Sequence, residues 1–324
     1  MTTTDQYSEQ LVLRVNELFH DLSDGQYSDV HEEILGVEAE RWKRSAERYL
    51  PPSPRVIADI GTGMGMVPVA IGGVLTQRDH LIAADISQRQ LEAARRNIER
   101  EGFGWSVEYV KLEPALPFTL PFADASLDAI TMNSVLHHIK ETGGFLREVD
   151  RVLKPGGVFF IGHEPNAAFT ENRVRWYSYR MLYALLDPGF ALRSRPARAL
   201  GIYRLAMAVH ARLRPQRAAV ARNLVEQVNA CVLSEKLIDR PLTLDEVADI
   251  TDILDSTGFH PRRLMPGYEL LHLETYNHLA QLSITHARGR IIRAYDEWLG
   301  RRLPESGATF FVVLRKPDGA ANAR

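Results

Sequence analysis

The sequence predicts an α/β protein built on a doubly wound, mostly parallel sheet of about seven strands, with helical insertions that form a lid. Short apolar runs alternate with amphipathic helical segments from residue 51 to residue 163, which is typical of βαβ units. A glycine-rich turn follows the first apolar run, where Rossmann-like sheets connect their first strand to a helix. Ligands bind such sheets at the carboxyl ends of the strands, so the loops after the strands are expected to carry the function.

The composition is that of a globular protein. The chain has 324 residues, of which 25% are charged and 45% are hydrophobic, and its net charge is −2. These values exclude a disordered chain, a collagen-like chain and a coiled-coil rod. The single cysteine, Cys231, cannot form an internal disulfide or a CxxC metal site, which fits a reducing compartment. The sequence shows neither a signal-peptide pattern nor an apolar run long enough to span a membrane, so we expect a soluble, cytoplasmic protein.

The order of elements divides the chain into helical and α/β parts. Apolar residues at helical spacing predict helices before Pro51, where a proline run stops them because proline lacks an amide donor. Strands are predicted at residues 56–60, 81–85, 107–112, 127–132, 158–162, 261–265 and 309–314. Helices are predicted between them at residues 67–75, 89–100, 145–153 and 244–256. The predicted units are N-terminal helices (1–50), an α/β core (51–163), a helical insert (164–242), the end of the core (243–268), a second helical insert (269–303), and the last strand with its tail (304–324).

The turn after the first predicted strand contains three glycines. Gly61, Gly63 and Gly65 permit a tight turn and close approach of a ligand to the backbone. A dinucleotide fingerprint G-x-G-x-x-G that begins at Gly61 requires glycine at position 66, where the chain has Met66. This difference argues against a dinucleotide cofactor.

Asp85 ends the second predicted strand, 20 residues after Gly65. A carboxylate at this place can accept hydrogen bonds from both ribose hydroxyls of a nucleoside. It can instead cap the helix that follows, but Ser87 can fill that role. The nucleoside interpretation is therefore favoured.

Five motifs resemble, in order and spacing, those of the class I S-adenosylmethionine-dependent methyltransferases. The motifs are Val56–Gly65, Asp85, Leu120–Asp128 (LPFADASLD), Val135–Ile139 (VLHHI) and Arg151–Gly157 (RVLKPGG). The resemblance covers residues 40–165 and points to the small-molecule group that includes the quinone C-methyltransferases. It implies S-adenosylmethionine as the cofactor and methyl transfer as the reaction.

The resemblance also implies a cofactor site. Its residues are Asp59, Gly61, Thr62, Gly63, Gly65, Asp85, Ile86, Glu113 and Asn133. The glycines line the methionyl part with Asp59 near its amino group, Asp85 holds the ribose, and Ile86 packs on the adenine. Asn133 contacts the cofactor through its backbone. The family usually has Gly-Asp-Ala before Leu-Pro-Phe, with the aspartate on the adenine amino group, and Glu113 takes that place here.

Four polar residues follow the fourth and fifth predicted strands and are candidate catalytic groups: His137, His138, His163 and Glu164. In-line methyl transfer mainly requires alignment, and an O, N or acidic C–H nucleophile can also need a base. The two strands are neighbours in such a sheet, so these side chains can converge. In the alternative interpretation, the two adjacent histidines only position the backbone. No metal site is predicted, because the histidines lack acidic partners at regular spacing.

The first predicted insert carries a strong local charge. Residues 171–222 hold eleven arginines, no lysine and two acids, a net charge of +9 that leaves −11 for the rest of the chain. The candidates for substrate binding are Trp176, Tyr179 and Tyr183 on one helical face, with Arg173 and Arg180 beside it. The arginines favour an anionic substrate, an acidic carrier protein or a membrane surface, or else form a solvated basic face. No nucleic-acid partner is expected, since no recognised module accompanies them.

The leading hypothesis is a methyltransferase that acts on a small, bulky, partly apolar molecule, with the insert as its lid. If the arginines contact that molecule, it is anionic. Two other classes stay open: a nicotinamide-dependent oxidoreductase on the same sheet, and a non-catalytic partner protein that uses the arginine-rich helices. The methylated atom (O, N or C) and the oligomeric state also stay open.

Overall fold

The computed structural model describes residues 6–22, 26–114, 116–178, 215–255, 257–278 and 287–318. The strands of this part of the chain are β1 (Val56–Ile60), β2 (His80–Asp85), β3 (Ser106–Lys111), β4 (Leu127–Asn133), β5 (Leu153–Pro165), β6 (Glu269–Tyr276) and β7 (Thr309–Arg315). Its α-helices are α1 (Glu9–Leu22), α2 (Gln26–Tyr49), α3 (Met66–Ile71), α4 (Gln88–Glu101), α5 (Thr142–Val152), α6 (Ala167–Thr170), α7 (Pro215–Ser234), α8 (Leu244–Thr251) and α9 (Ala287–Arg302). Short 3₁₀ turns lie at Gly72–Val74, Leu136–His138 and Pro261–Arg263.

The seven strands of the described residues form one sheet, in the order β3-β2-β1-β4-β5-β7-β6. The strands from β1 to β5 pair in parallel, and β7 runs antiparallel between β5 and β6. This topology confirms the predicted Rossmann-like sheet. The chain order reverses between β1 and β4, so the ligand crevice expected of such a sheet lies at the carboxyl ends of these two strands.

The sixth strand lies further along the chain than the sequence predicts. The predicted strand at 261–265 is a 3₁₀ turn at Pro261–Arg263, and β6 occupies the start of the segment 269–303, which is predicted to be helical. Both predictions are wrong. Pro261 offers no amide donor to a strand ladder. The leucines of β6 do not alternate strictly with polar residues, so its pairing with β7, rather than any local pattern, decides its conformation.

Two apolar clusters cover the two faces of the sheet. On one face, Trp42 of α2 packs against Phe160 and Phe311, with α3 and α4 beside it. On the other face, Phe145 and Val149 of α5 pack against the strands. Trp42 also reaches the last residue of β4, so the turn of α2 that precedes it lies at the carboxyl edge of the sheet.

The helix α1 packs against the inserted helices α7 and α8. Val12 and Val15 of α1 join Val228 and Val232 of α7 in a third buried cluster, which α8 completes with Ile250. The same helix contacts the start of α4 and the 3₁₀ turn after β4. It therefore covers part of the edge at which the crevice lies. Among the described residues, no helix is both long and apolar enough to cross a membrane.

Candidate active site

The glycine turn after β1 is held against the end of β2. The backbone N–H groups of Gly61 and Thr62 both donate to the Ala84 carbonyl, at 2.8 and 3.0 Å. Gly61, Gly63 and Gly65 all have positive φ, which only glycine adopts without strain. The sequence places this turn correctly.

The three glycines serve different purposes. A side chain at Gly61 would collide with Val135, and one at Gly65 would press on the backbone of Ala94 at 3.2 Å. At Gly63 a Cβ atom would meet no heavy atom of the described residues within 4 Å. The turn therefore packs on one side and leaves Gly63 facing open space at the crevice.

Asp85 binds the same turn from the end of β2. Its buried carboxylate accepts hydrogen bonds from the N–H groups of Gly63 and Ser87, each at 2.8 Å. The N-cap of α4 is Ser87, whose hydroxyl accepts from the Gln90 amide at 3.1 Å, so Asp85 is free of that role. Burial raises the pKa of Asp85 to about 6 against the opposing effect of the two amide donors. A carboxylate has about four acceptor positions, so it can still accept from a ligand.

Two buried polar atoms near the glycine turn lack a hydrogen-bonding partner among the described residues. They are Oδ2 of Asp59 and Oγ1 of Thr62. Oδ1 of Asp59 accepts from the Thr131 hydroxyl at 2.6 Å, and burial raises the pKa of this carboxyl to about 7 against the opposing effect of the Thr131 and nearby Thr62 hydroxyls. An unpartnered buried polar group costs about 1–3 kcal/mol and marks a place that a polar ligand can satisfy.

The three remaining predicted cofactor residues lie at the same edge. Ile86 is half-buried next to Asp85 and packs against the core face of α5. Glu113 is exposed just beyond β3, where the Leu112 amide donates to the Asp85 carbonyl at 2.8 Å. Asn133 ends β4, and its side-chain oxygen accepts from Trp42 Nε1 at 2.9 Å, so a backbone contact with the cofactor stays a prediction.

Glu164 and His137, two of the candidate catalytic residues, are in direct contact. The fully buried Glu164 carboxylate accepts from the N–H groups of Val135, Leu136 and His137, at 2.7, 2.7 and 3.1 Å. It also lies 2.9 Å from Nδ1 of His137. Burial disfavours charge on His137, but the Glu164 carboxylate outweighs burial and raises the pKa of His137 to about 9. Glu164 therefore holds the loop after β4 in place.

His138 has a different environment. Its Nδ1 lies 2.6 Å from the Thr251 carbonyl oxygen at the end of α8. Burial, together with the nearby His137 and His20, holds the pKa of His138 well below its usual value, so its imidazole stays neutral. Potential ligand atoms of His137, His138 and Asp252 lie within 4.8 Å of one another. Asp252 is an acidic neighbour that the spacing along the sequence does not reveal, and the expected absence of a metal stays a prediction.

His163 joins a second cluster, away from Glu164. It has a φ of +56° at an irregularity in β5 between Ile161 and Glu164. Its Nδ1 lies 3.6 Å from Oε1 of Glu38 and 3.4 Å from the Tyr276 hydroxyl. The four candidate catalytic residues thus fall into two clusters at the carboxyl edge.

Glu38, Arg41 and Tyr276 are not among the catalytic residues that the sequence predicts. Glu38 accepts from Arg41 Nη1 at 2.5 Å and from the Tyr276 hydroxyl at 3.3 Å, and the Arg41 guanidinium lies 3.8 Å from the centre of the Tyr276 ring. The i,i+3 spacing of Glu38 and Arg41 could suggest an ion pair on α2. Nothing local connects that pair to Tyr276, which lies in a segment predicted to be helical.

The part of the chain that forms the carboxyl edge of β1, β2 and β4 matches a known kind of domain. Residues 58–161, which contain the glycine turn, Asp85 and the loop after β4, match a family model described as a methyltransferase domain. Residues 58–161 of the chain therefore form a methyltransferase-like domain.

Curated relatives share this methyltransferase domain. The ubiquinone/menaquinone biosynthesis C-methyltransferase UbiE of Vibrio vulnificus is 30% identical over 158 residues, which are 47% of this chain and 58% of the relative. The demethylmenaquinone methyltransferase of Bacteroides fragilis is 29% identical over 149 residues, 46% of this chain and 59% of the relative. The chain thus spans less than two thirds of the length of these relatives. A solved S-adenosylmethionine-dependent methyltransferase of Aquifex aeolicus is 23% identical, with a TM-score of 0.35, over 39% of this chain and 64% of that one.

Two of the predicted substrate residues lie just after the methyltransferase domain. Arg173 is exposed and Trp176 is half-buried, in a helical stretch at residues 173–178. Tyr179, Arg180 and Tyr183 lie outside the described residues. A cavity of about 890 Å³ opens between α2, β6 and α9, and Arg41 and Tyr276 line it. This volume is within the range of small-molecule sites, about 300–1,000 Å³.

Proposed function

We propose that the protein transfers a methyl group from S-adenosylmethionine to a small hydroxylated aromatic molecule. The observation that carries the proposal is the unsatisfied polar pair, Asp59 Oδ2 and Thr62 Oγ1, beside the open face of Gly63. A carboxylate and a hydroxyl can hold the ammonium and carboxylate ends of a methionyl group. Bound S-adenosylmethionine supplies a methyl group already activated on a sulfonium.

Each predicted cofactor residue has a role in this proposal. Asp85 accepts from the ribose hydroxyls and keeps the glycine turn in place through Gly63. Ile86 packs on the adenine, Glu113 accepts from its amino group, and Asn133 contributes its backbone. The nearly complete burial of Asp59 and Asp85 makes them strong acceptors, because few water molecules compete with a ligand for their oxygens.

Two observations support a hydroxylated aromatic acceptor. The relatives that share the domain are named for the biosynthesis of quinones, which are reduced to hydroxylated aromatic rings. A cavity of suitable size lies next to the cluster that contains His163 and Tyr276. An anionic substrate, an acidic carrier protein or a membrane surface at the arginine-rich insert stays part of the proposal. Substituting Arg173 and Arg175 with glutamine is expected to raise the acceptor KM and to flatten its salt dependence.

Calorimetry on the full chain tests the cofactor. S-adenosylhomocysteine is expected to bind at one site per chain, and NAD is expected not to bind; binding of NAD alone would favour the oxidoreductase alternative. Methyl transfer is then tested by mass spectrometry with S-adenosylmethionine carrying a deuterated methyl group and 1,4-dihydroxynaphthalene as acceptor. A product heavier by one CD₃ group in place of a hydrogen supports the proposal, and binding of neither cofactor contradicts it.

A further inference from the structure

A buried acid–base cluster lies at the carboxyl edge, outside the residues assigned to the cofactor. Its members are Glu38 and Arg41 of α2, His163 of β5 and Tyr276 of β6. Glu38 is at the centre, since one of its oxygens faces Arg41 and His163 and the other accepts from the Tyr276 hydroxyl. Arg41 also lies 3.3 Å from Glu274, which faces the cavity.

The surroundings fix the charge on two members of the cluster. Burial disfavours the charged form of Glu38, but hydrogen bonding to His163 and the charge of Arg41 outweigh it and lower its pKa. Burial and the Glu38 carboxylate hold the pKa of Tyr276 well above its usual value. Glu38 is therefore an anion, and Tyr276 keeps its hydroxyl proton near neutral pH.

These charges set the direction of the hydrogen bonds. The Tyr276 hydroxyl donates to Oε2 of Glu38 at 3.3 Å, which leaves the phenol oxygen to accept. Nδ1 of His163, 3.4 Å from that oxygen and 3.6 Å from Glu38, has only acceptors in front of it and carries the proton. In a neutral imidazole the other nitrogen is then an acceptor. Nε2 of His163 consequently offers a lone pair.

The backbone places His163 next to the cofactor crevice. Gly162, the residue before it, pairs with Asn133 at the end of β4, and neighbouring strands lie about 4.8 Å apart. The positive φ of His163 is a strained conformation for a residue other than glycine, and such strain is concentrated at functional positions. The side chain is 22% exposed, so its ring is in reach of a small molecule.

We propose that His163 is the catalytic base for a hydroxylated aromatic acceptor, and that Glu38 and Tyr276 are positioning residues that fix its tautomer. The inference rests on the proposed function. The acceptor O–H bond breaks, and its proton goes to Nε2 of His163. The freed electron pair forms the bond to the methyl carbon as the methyl–sulfur bond breaks, and S-adenosylhomocysteine leaves with the sulfur electron pair.

The attacking atom is the phenolate oxygen or a ring carbon conjugated with it. In the second case the proton displaced from that carbon restores the hydroxyl group, so one proton is released in both cases. The released proton then passes from the His163 imidazolium to solvent. An acceptor that is already a free amine or thiolate needs no such base, so the proposed base fits a hydroxyl group better.

Nitrogen NMR of the full chain labelled with ¹⁵N-histidine tests the tautomer without any substrate. The chain has 11 histidines, and the signals that disappear in His163→Gln are those of His163. The wild type is expected to show His163 with a protonated Nδ1 and an unprotonated Nε2, and Glu38→Gln is expected to give a mixture of tautomers. Glu274→Gln, which removes the other carboxylate beside Arg41, is the matched control and is expected to leave the signal unchanged. A wild-type His163 protonated at Nε2 overturns the proposal.

Kinetics with 1,4-dihydroxynaphthalene test the chemistry. His163→Gln is expected to lower kcat by roughly 100-fold, the usual size of general-base catalysis, with the Kd of S-adenosylhomocysteine unchanged. Glu38→Gln is expected to lower kcat by roughly tenfold with KM unchanged, because the tautomer of His163 is no longer fixed. A change confined to KM or to cofactor binding contradicts the positioning role. Wild-type protein that binds S-adenosylhomocysteine but does not methylate this probe overturns the acceptor assignment, whereas failure to bind the cofactor overturns the proposed function itself.

Discussion

The carboxylate of Glu164 lies 2.9 Å from Nδ1 of His137 and accepts the backbone N–H of the same residue at 3.1 Å. One fully buried side chain at the end of β5 thus holds both the ring and the backbone of the loop after β4. The contact makes Glu164 a poor candidate for a base, because its oxygens already accept four hydrogen bonds. We infer that it positions the loop.

The stability of the protein is expected to fall with pH because of this pair. The pKa of His137 is about 9 in the folded chain and about 6.5 when it is exposed. A raised pKa means that the stabilisation is fully present below about pH 6.5 and is lost as the pH rises through about 9. The denaturant midpoint measured at pH 6, 7.5 and 9 is therefore expected to decrease.

The variant Glu164→Gln separates this pair from other titrating groups. It is expected to be less stable by about 3 kcal/mol at pH 6, since it leaves a buried imidazolium unpaired, and to lose most of the pH dependence between pH 7.5 and 9, where the buried carboxyls Asp59 and Asp85 are already mostly ionised. Glu171→Gln is the matched control: its partner His260 lies at a similar distance, 3.0 Å, but the pair is exposed. A pH dependence that persists in Glu164→Gln shows that another group causes it.

A second prediction compares two glycines with similar backbone geometry. Gly63 has a φ of +52° and Gly102, at the end of α4, has a φ of +66°, and a Cβ atom meets nothing within 4 Å at either position among the described residues. Substitution of either glycine by alanine is therefore expected to lower the free energy of unfolding by a similar amount, about 1–2 kcal/mol, through backbone strain. Only Gly63→Ala adds a methyl group where the cofactor is proposed to lie, so it is expected to weaken S-adenosylhomocysteine binding by roughly tenfold or more, equivalent to about 1.4 kcal/mol.

Thermal unfolding and calorimetry of the two variants check this comparison. Similar losses of stability with a loss of affinity only in Gly63→Ala place the cofactor against the open face of the turn. Equal affinities in both variants show that the open face of Gly63 is not the binding surface.

The sequence predicts the position of the glycine turn and of Asp85 better than it predicts the two clusters of acidic and basic side chains. Gly63 and Asp85 act through local geometry, a strand end and the turn beside it, which a linear pattern records. Glu38 and His163 are 125 positions apart and meet only because α2 crosses the sheet next to β5. The adjacent residues His163 and Glu164 face different clusters because the backbone has a positive φ at position 163. The hydropathy of the sequence does not predict this backbone conformation.

The last prediction concerns protons released on cofactor binding. Burial raises the pKa of Asp85 to about 6, so a large fraction of this carboxyl is protonated in the free protein near that pH. Ribose hydroxyls that donate to it favour the ionised form, which lowers the pKa and expels the proton. Titrations of S-adenosylhomocysteine at pH 6, in buffers of different ionisation enthalpy, are expected to report release of up to about half a proton from Asp85, and titrations at pH 8.5 almost none.

Asp85→Asn is expected to abolish most of this release and to weaken binding by roughly 100-fold, since two hydrogen bonds to a charged acceptor become neutral ones. Asp128→Asn is the control, because this carboxylate bonds the Val56 amide and Lys154 at the opposite edge of the sheet. It is expected to lower stability without changing affinity. Release that is undiminished in Asp85→Asn assigns the proton to another carboxyl, with Asp59 as the next candidate because its pKa is about 7. Affinity that is equally undiminished removes Asp85 from the cofactor site.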